Sequence, residues 1–331
     1  MKNFLQIKNL NIEQIACAVP KEVCSNDQFE KYRSNREIKI FEKTVGIKER
    51  RWTRGAKTTN TDLALASISQ LANHLVDKKV KAVLYISQTP NQRIPFVSNI
   101  IQSEYKLGNN TLCYDLNLGC AGYVQGLYLA ASLLQNFNED EKVLMVCSET
   151  LSRILDLSDN ATNMIFGDGA ATTLIGRNKE INSYFNIYSD GDYSTAIETK
   201  KNHEHQDILH MNGPEVFDFT IREVSASIES LLKSSKIDKT EIDYFVMHQA
   251  NSFILNQIAT QLGLANRAKI INHISRTGNT SSVSIPLALS SEFENTIISG
   301  QFLFSGFGSG LNWGNCVVQL DNTIIHHVKE I

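Results

Sequence analysis

The chain has 331 residues, is 42% hydrophobic and carries a formal net charge of −3, enough length for two domains or one double domain with a well-buried core. Its cations are spread along the chain and leave no electrostatic footprint for DNA or RNA, and no apolar run is long enough to span a membrane. The opening "MKNFLQIKNLNIEQ" lacks the continuous apolar centre of a signal peptide, so a cytoplasmic protein acting with a small molecule or another protein is expected.

In chain order, "KAVLYIS" (81–87) is the first short β-branched run and is predicted to be a buried strand. "DLNLGCAGYVQGLYLAASLL" (115–134) follows, a polar turn giving way to a long apolar helix with Cys120 at its N-terminal end. "EKVLMVCSE" (141–149) and "AATTLIG" (170–176) are further predicted strands. The polar stretch 178–210 then interrupts the alternation and is expected to join two similar halves, 1–180 and 181–331. Beyond it, Phe217, Ile221, Val224, Ile228 and Leu231 recur in steps of four and three and predict an amphipathic helix. "EIDYFVMHQ" (241–249), "QFLFSGFG" (301–308) and "NCVVQL" (315–320) complete the predicted strands. Strands alternating with helices give an α/β architecture.

Cys17, Cys24, Cys113, Cys120, Cys147 and Cys316 form no CxxC pair and read as free thiols in a reducing compartment. His203 and His205 lie in a polar segment with no second ligand pair at metal-site spacing, so no metal is expected. Cys120 is different by position. Unpaired N–H groups at a helix start favour a thiolate, and such sites can lower a cysteine pKa from about 8.5 to roughly 3.5–7.5. Taken alone, Cys120 reads sooner as a buried structural thiol than as a nucleophile. His248 ends a predicted strand in the loop before "SFILNQIATQLGL", a usual place for functional groups in α/β folds. Asn279 sits in a tight Gly-Asn turn before a helix, where turn chemistry also accounts for it. "SGFGSGLNWG" (305–314) exposes backbone N–H groups between two strands, and by itself reads as a mobile hairpin.

Taken together and in this order, "GIKERRW" from Gly46, "DLNLGCAGY", "FGDGAAT" from Phe166, "MNGPEVF" from Met211, "HQAN" from His248, "GNTSS" and "GFGSGLNWG" resemble the β-ketoacyl-acyl carrier protein synthase III family of thiolase-fold condensing enzymes. The resemblance implies a thiolase-like α/β double fold, two pseudo-symmetric halves in five α-β-α-β-α layers, and a homodimer. It implies that Cys120 takes an acyl group from a thioester, with the N–H groups of Cys120 and Ser309 as oxyanion hole. His248 and Asn279 would then hold the enolate left when a malonyl-carrier protein thioester loses carbon dioxide. No cofactor is implied beyond acyl-CoA or acyl-carrier protein as substrate. Ile94, Gly308, Phe166, Asn251 and Pro214 are the implied substrate-binding positions, and Asp168 is read as structural, bonding backbone.

The chain departs from the family at several of these points. Ser309 replaces a usual glycine, Ile94 a phenylalanine that reaches the partner subunit's pocket, and Pro214 an amide side chain near the pantetheine. Counted without gaps, Ile40, Thr44 and Asn160 fall on an adenine-stacking tryptophan and two arginines, while Phe253 and Asp218 replace an arginine and a lysine. A primer longer than acetyl, presented on a dedicated carrier protein, is expected. Lys48, Arg50, Arg51 and Arg54 form a basic cluster, read as solvated surface or as a phosphate site. Two rival readings are an acyltransferase that hands the acyl group to an alcohol or amine, and a non-catalytic dimerisation subunit.

Overall fold

The structure, a computed structural model, describes residues 3–75, 79–264 and 269–331. The chain opens with a long strand, β1 (Leu5–Val19), followed by the short antiparallel pair β2 (Val23–Ser25) and β3 (Glu49–Arg51) that brackets α1 (Asn35–Thr44). Ser34 and Glu37 close a capping box at the start of α1, and Thr59 and Asp62 do the same for α2 (Asn60–Ser69). After α3 (Ala72–Leu75) come β4 (Val80–Ile86), α4 (Val97–Glu104), β5 (Leu112–Leu116), α5 (Gly122–Leu134), β6 (Lys142–Thr150) and β7 (Asp168–Ser189).

A hairpin of β8 (Ile197–Lys201) and β9 (Asp207–Met211) leads into α6 (Gly213–Phe219), which runs through one π turn into α7 (Ser225–Ser235). The chain ends with β10 (Tyr244–Met247), α8 (Ser252–Gln261), α9 (Ile274–Thr277), α10 (Ser284–Glu292), β11 (Thr296–Gly308) and β12 (Asn312–Glu330).

The main strands join in the order β10-β11-β12-β1-β7-β6-β4-β5. β4, β5 and β6 are parallel to one another, and β7 runs antiparallel to both β6 and β1. α2 and α4 cover one outer face, α7 covers the other, and α5 and α10 lie in the middle, touching strands of both halves. This is the five-layered double fold the resemblance implied. The central position explains the sequence of α5: a helix between two sheets is apolar nearly all round, and Tyr123, Val124, Leu127 and Leu134 are fully buried, each contributing about 1.5–3 kcal/mol of transfer free energy.

The polar stretch is not a linker. β7 continues through it to Ser189, so residue 180 falls inside a strand, and residues 184–189 pair with β12 of the second half. Ile181, Ser183 and Phe185 alternate inward while Asn182 faces out, a period of two hidden by polar residues in the outward positions. The helical stripe also differs in detail: the π turn at Thr220–Val224 shifts the register, so Phe219 joins the core and Phe217 faces a cavity.

Candidate active site

α5 and α10 begin in the same way. A three-residue tight turn precedes each, Gly119–Ala121 before α5 and Ser281–Val283 before α10, and each turn opens on a left-handed residue, Gly119 (φ 59°) and Ser281 (φ 52°). These two starts meet at one cavity of about 370 Å³. Its walls carry Cys120, His248 and Asn279, together with Phe166, Pro214, Asn251, Gly308 and Ser309.

Ser281 ties the three polar groups together. Its N–H donates to Asn279 Oδ1 (2.9 Å), which turns the amide nitrogen of Asn279 away from that contact. Its hydroxyl reaches the Cys120 sulfur and its backbone reaches the His248 ring. The other ring contact of His248 is Ser284 Oγ, 2.7 Å from Nδ1. Ser284 Oγ already accepts the Gln249 N–H (3.3 Å), so we assign its own proton to Nδ1 and the ring proton to Nε2. Burial holds the imidazole neutral, with its pKa lowered to about 3. His248 is therefore a neutral hydrogen-bond donor.

Cys120 does not have the depressed pKa expected of a helix start. Burial pushes the thiol up to about 12, opposed by the Ser281 hydroxyl and by the N–H groups of Ser309 and Cys120, while the nearby Glu149 carboxylate adds to the rise. The resting group is a thiol, and its anion is favoured by the two amides assigned to the oxyanion hole. Gly308 explains the glycine-rich hairpin. A Cβ there would stand 2.6 Å from Cys120 Cβ and 2.9 Å from its sulfur, so only glycine lets β11 pass over Cys120. The segment is a tight β11–β12 hairpin turn seated on Cys120.

The remaining assigned positions divide. Phe166 bridges to Asn279 through backbone and is buried beside the cavity. Asn251 is the N-cap of α8, its Oδ1 accepting the Ile254 N–H (2.8 Å), so it lines the cavity with its acceptor already engaged. Pro214 lines the exposed mouth at the first turn of α6. Ile94 is not in the cavity of its own chain and is 88% exposed. Asp168 bonds as read: its carboxylate accepts the N–H groups of Thr53 (2.6 Å) and Ser152 (2.9 Å) and both their hydroxyls.

The basic cluster is not one surface. Arg50 is completely buried, donating to Cys24 O, Asn26 Oδ1 and Met164 O beneath the loop that carries Phe166. Arg51 pairs with Glu330 (2.7 Å), and Arg54 donates to the carbonyls of Ser152 and Leu155. Neither a solvated patch nor a phosphate site fits Arg50, because burying a guanidinium requires these fixed acceptors.

Sequence reasoning passed over Ser281, Ser284, Gln88 and Glu149. Glu149 ends β6 behind the cavity and is fully buried. Burial pushes its carboxyl up to about 7, against hydrogen bonds from Thr89, Gln88, Ser282 and Ser281. An acid whose folded pKa lies above its unfolded value costs stability as pH rises from the unfolded toward the folded pKa. The stability difference between Glu149→Gln and the parent chain is therefore expected to move in favour of the variant by up to about 3 kcal/mol between pH 5 and 8. Urea unfolding across that range checks this, and movement in the opposite direction refutes it.

Among the described residues, no cluster of three His, Cys, Asp or Glu is placed to hold a metal ion, and no helix is long and apolar enough to cross a membrane.

Residues 114–191 match the family described as 3-oxoacyl-[acyl-carrier-protein (ACP)] synthase III, and residues 232–320 match the C-terminal part of the same family. A relative from Streptococcus mutans named beta-ketoacyl-[acyl-carrier-protein] synthase III is 35% identical, over 93% of this chain and 98% of its own. The crystal structure of a 3-oxoacyl-(acyl-carrier protein) synthase from Burkholderia xenovorans LB400 superposes with a TM-score of 0.93 at 28% identity, covering 99% of both chains. A beta-ketoacyl-[acyl carrier protein] synthase III from Thermus thermophilus follows with 0.83 at 29%, covering 94% of this chain and 99% of its own. With these two matched regions and a relative 35% identical over nearly its whole length, the chain belongs to the 3-oxoacyl-[acyl-carrier-protein] synthase III family.

Proposed function

We infer that the chain joins an acyl group to a malonyl-carrier protein thioester with loss of carbon dioxide, giving a β-ketoacyl thioester. The observation that carries this is the meeting of Cys120, His248 and Asn279 on one cavity through Ser281. In the first half-reaction the Cys120 sulfur attacks the thioester carbonyl, and the N–H groups of Cys120 and Ser309 hold the oxygen as it gains charge. The donor's sulfur leaves as a thiolate and takes the proton that Cys120 gave up.

In the second half-reaction the malonyl C–C bond to its carboxylate breaks. Carbon dioxide departs and the electron pair stays as an enolate, whose oxygen accepts from His248 Nε2–H and Asn279 Nδ2–H. The enolate carbon attacks the acyl-cysteine and expels the Cys120 thiolate. A neutral imidazole suits this step, because decarboxylation itself generates the nucleophile and no base is required. The pair of neutral donors favours this reading over acyl transfer to an alcohol or amine, which would need a base to remove a proton from the acceptor. The intact set of reactive groups also speaks against a non-catalytic subunit.

The primer is longer than acetyl in this reading. Leu151, Ile165, Ile197, Leu209 and Phe219 make much of the cavity wall apolar. Ile40 and Phe253 are exposed, and Phe253 stacks on Phe217 of the cavity wall with ring centroids 5.5 Å apart. Arg222 is shared between Asp218 (2.9 Å) and Glu223 (2.8 Å), which leaves that group net negative, while Arg33 sets a guanidinium against the Asn160 carbonyl. The Arg33 guanidinium at residue 160 supports delivery by an acyl carrier protein, whose surface is acidic. A homodimer accounts for β5, a sheet edge exposing Leu112 and Tyr114 beside the exposed Ile94 and Phe96. We place the protein in the cytoplasm.

Intact-mass measurement after exposure to a panel of acyl-CoAs and acyl-carrier proteins, followed by malonyl-carrier protein, tests the reading. One acyl adduct per chain and carbon dioxide release on adding the malonyl thioester are expected. Turnover with acetyl thioesters far above that with longer ones contradicts the primer assignment.

A further inference from the structure

Ser309 brings a side chain to a turn where the family usually has none, and that side chain has a partner. Its hydroxyl donates to Gln88 Oε1 at 3.2 Å. The space it fills exists because residue 119 is glycine: a Cβ at Gly119 would collide with Ser309 Oγ. The other end of the Gln88 amide, Nε2, donates to Ser281 Oγ at 3.4 Å. One carboxamide on the loop after β4 thus grips both the oxyanion-hole turn and the residue that orients Cys120, His248 and Asn279.

Gln88 is itself anchored. Its backbone N–H donates to the buried Glu149 carboxylate at 3.1 and 3.3 Å, and the same carboxylate takes the hydroxyls of Thr89 (2.9 Å) and Ser282 (3.1 Å). On its other side the Ser309 turn is held by Asn312 Nδ2, which donates to Ser309 O at 2.9 Å. The Ser309 amide therefore hangs between two polar ties, one of which is Gln88.

We propose that Gln88 is a positioning residue for the acylation step, fixing the Ser309 N–H against the Cys120 sulfur through the Ser309 hydroxyl. The proposal rests on the reading of Cys120 and Ser309 given under Proposed function. An oxyanion-hole donor stabilises charge only when held about 2.7–3.1 Å from where the oxygen will be, and loss of one whole donor costs about 10²- to 10³-fold. Loosening a donor without removing it costs less.

The test is the rate of acyl-Cys120 formation from an acyl-CoA that loads the parent enzyme, followed by rapid quench and intact mass over a concentration series. Gln88→Ala and Ser309→Ala are each expected to lower the maximal acylation rate by about tenfold, with the half-saturating concentration changed less than about threefold. Because both remove the same hydrogen bond, the double variant is expected to be no slower than the slower single variant. Ser309→Ala deletes one hydroxyl and leaves the backbone, so it carries the test should Gln88→Ala fail to fold. Multiplicative losses in the double variant, or an effect confined to half-saturation, overturn the proposal. If the parent enzyme acylates and both variants match its rate, positioning by Gln88 is wrong while Cys120 stands. If no acyl-CoA or acyl-carrier protein loads the parent enzyme, both readings fall together.

Discussion

Replacing Cys120 with alanine is expected to abolish the acyl adduct and to lower condensation by on the order of 10⁴-fold or more, since removal of a covalent nucleophile leaves only binding and charge stabilisation. Five other cysteines, Cys17, Cys24, Cys113, Cys147 and Cys316, remain as an internal control. Cys17, Cys147 and Cys316 are completely enclosed and burial holds their thiols well above the ordinary range, so none of them substitutes. Cys120 is 8% exposed where these are 0–1%, two backbone N–H groups and the Ser281 hydroxyl converge on its sulfur, and it opens on the cavity. The same variant should still release carbon dioxide from a malonyl thioester, because His248 and Asn279 act without the sulfur. Intact mass reports the first effect and carbon dioxide capture the second. An adduct on Cys120→Ala would reassign the nucleophile.

Removing His248 or Asn279 should produce the opposite pattern. His248→Ala and Asn279→Ala are each expected to acylate within a few-fold of the parent rate and to condense about 10²- to 10³-fold more slowly, the usual cost of one lost donor to a developing oxyanion. Asn279→Asp should be the most damaging change at that site. It keeps the size of the side chain but sets a carboxylate oxygen where an N–H is needed, against the enolate's own charge and in a buried position. His248→Gln, which retains an N–H, should fall between the parent and the alanine variant. Acyl-enzyme persisting after a malonyl-carrier protein chase, followed by mass, checks the assignment. Slow loading by either alanine variant would mean that the residue serves the first step.

The residues that meet at the cavity are more legible in the sequence than their supports. Cys120, His248 and Asn279 stand in short motifs whose order is distinctive, and the strands at 81–87, 141–149 and 301–308 are continuous apolar runs that coincide with β4, β6 and the end of β11. β1 is hard to see in the sequence because "LQIKNLNIEQIACAV" mixes polar residues into its first half, where alternate positions face away from the core. The second half of β7 was hidden in the same way. Ser281 and Gln88 were not legible because their importance comes from contacts spanning most of the chain: Gln88 reaches Ser281 across 193 positions and Ser309 across 221. Arg50 misled for a related reason. A basic residue in a basic run looks solvated until the fold supplies acceptors such as Met164 O from a distant loop. The cysteine pKa was misjudged because the helix start was visible in the sequence and the depth of burial was not.

The matched beginnings of α5 and α10 carry a consequence for how the molecule can be divided. In the second of these starts Ser282 occupies the place that Cys120 holds in the first, and its hydroxyl is committed to Glu149. The second start thus has no sulfur at the matching position, and residues 248, 279 and 309 line the same cavity as Cys120. On the chemistry proposed above, a cut between the two starts would leave one fragment with a nucleophile lacking its full oxyanion hole and another with an enolate site lacking an electrophile.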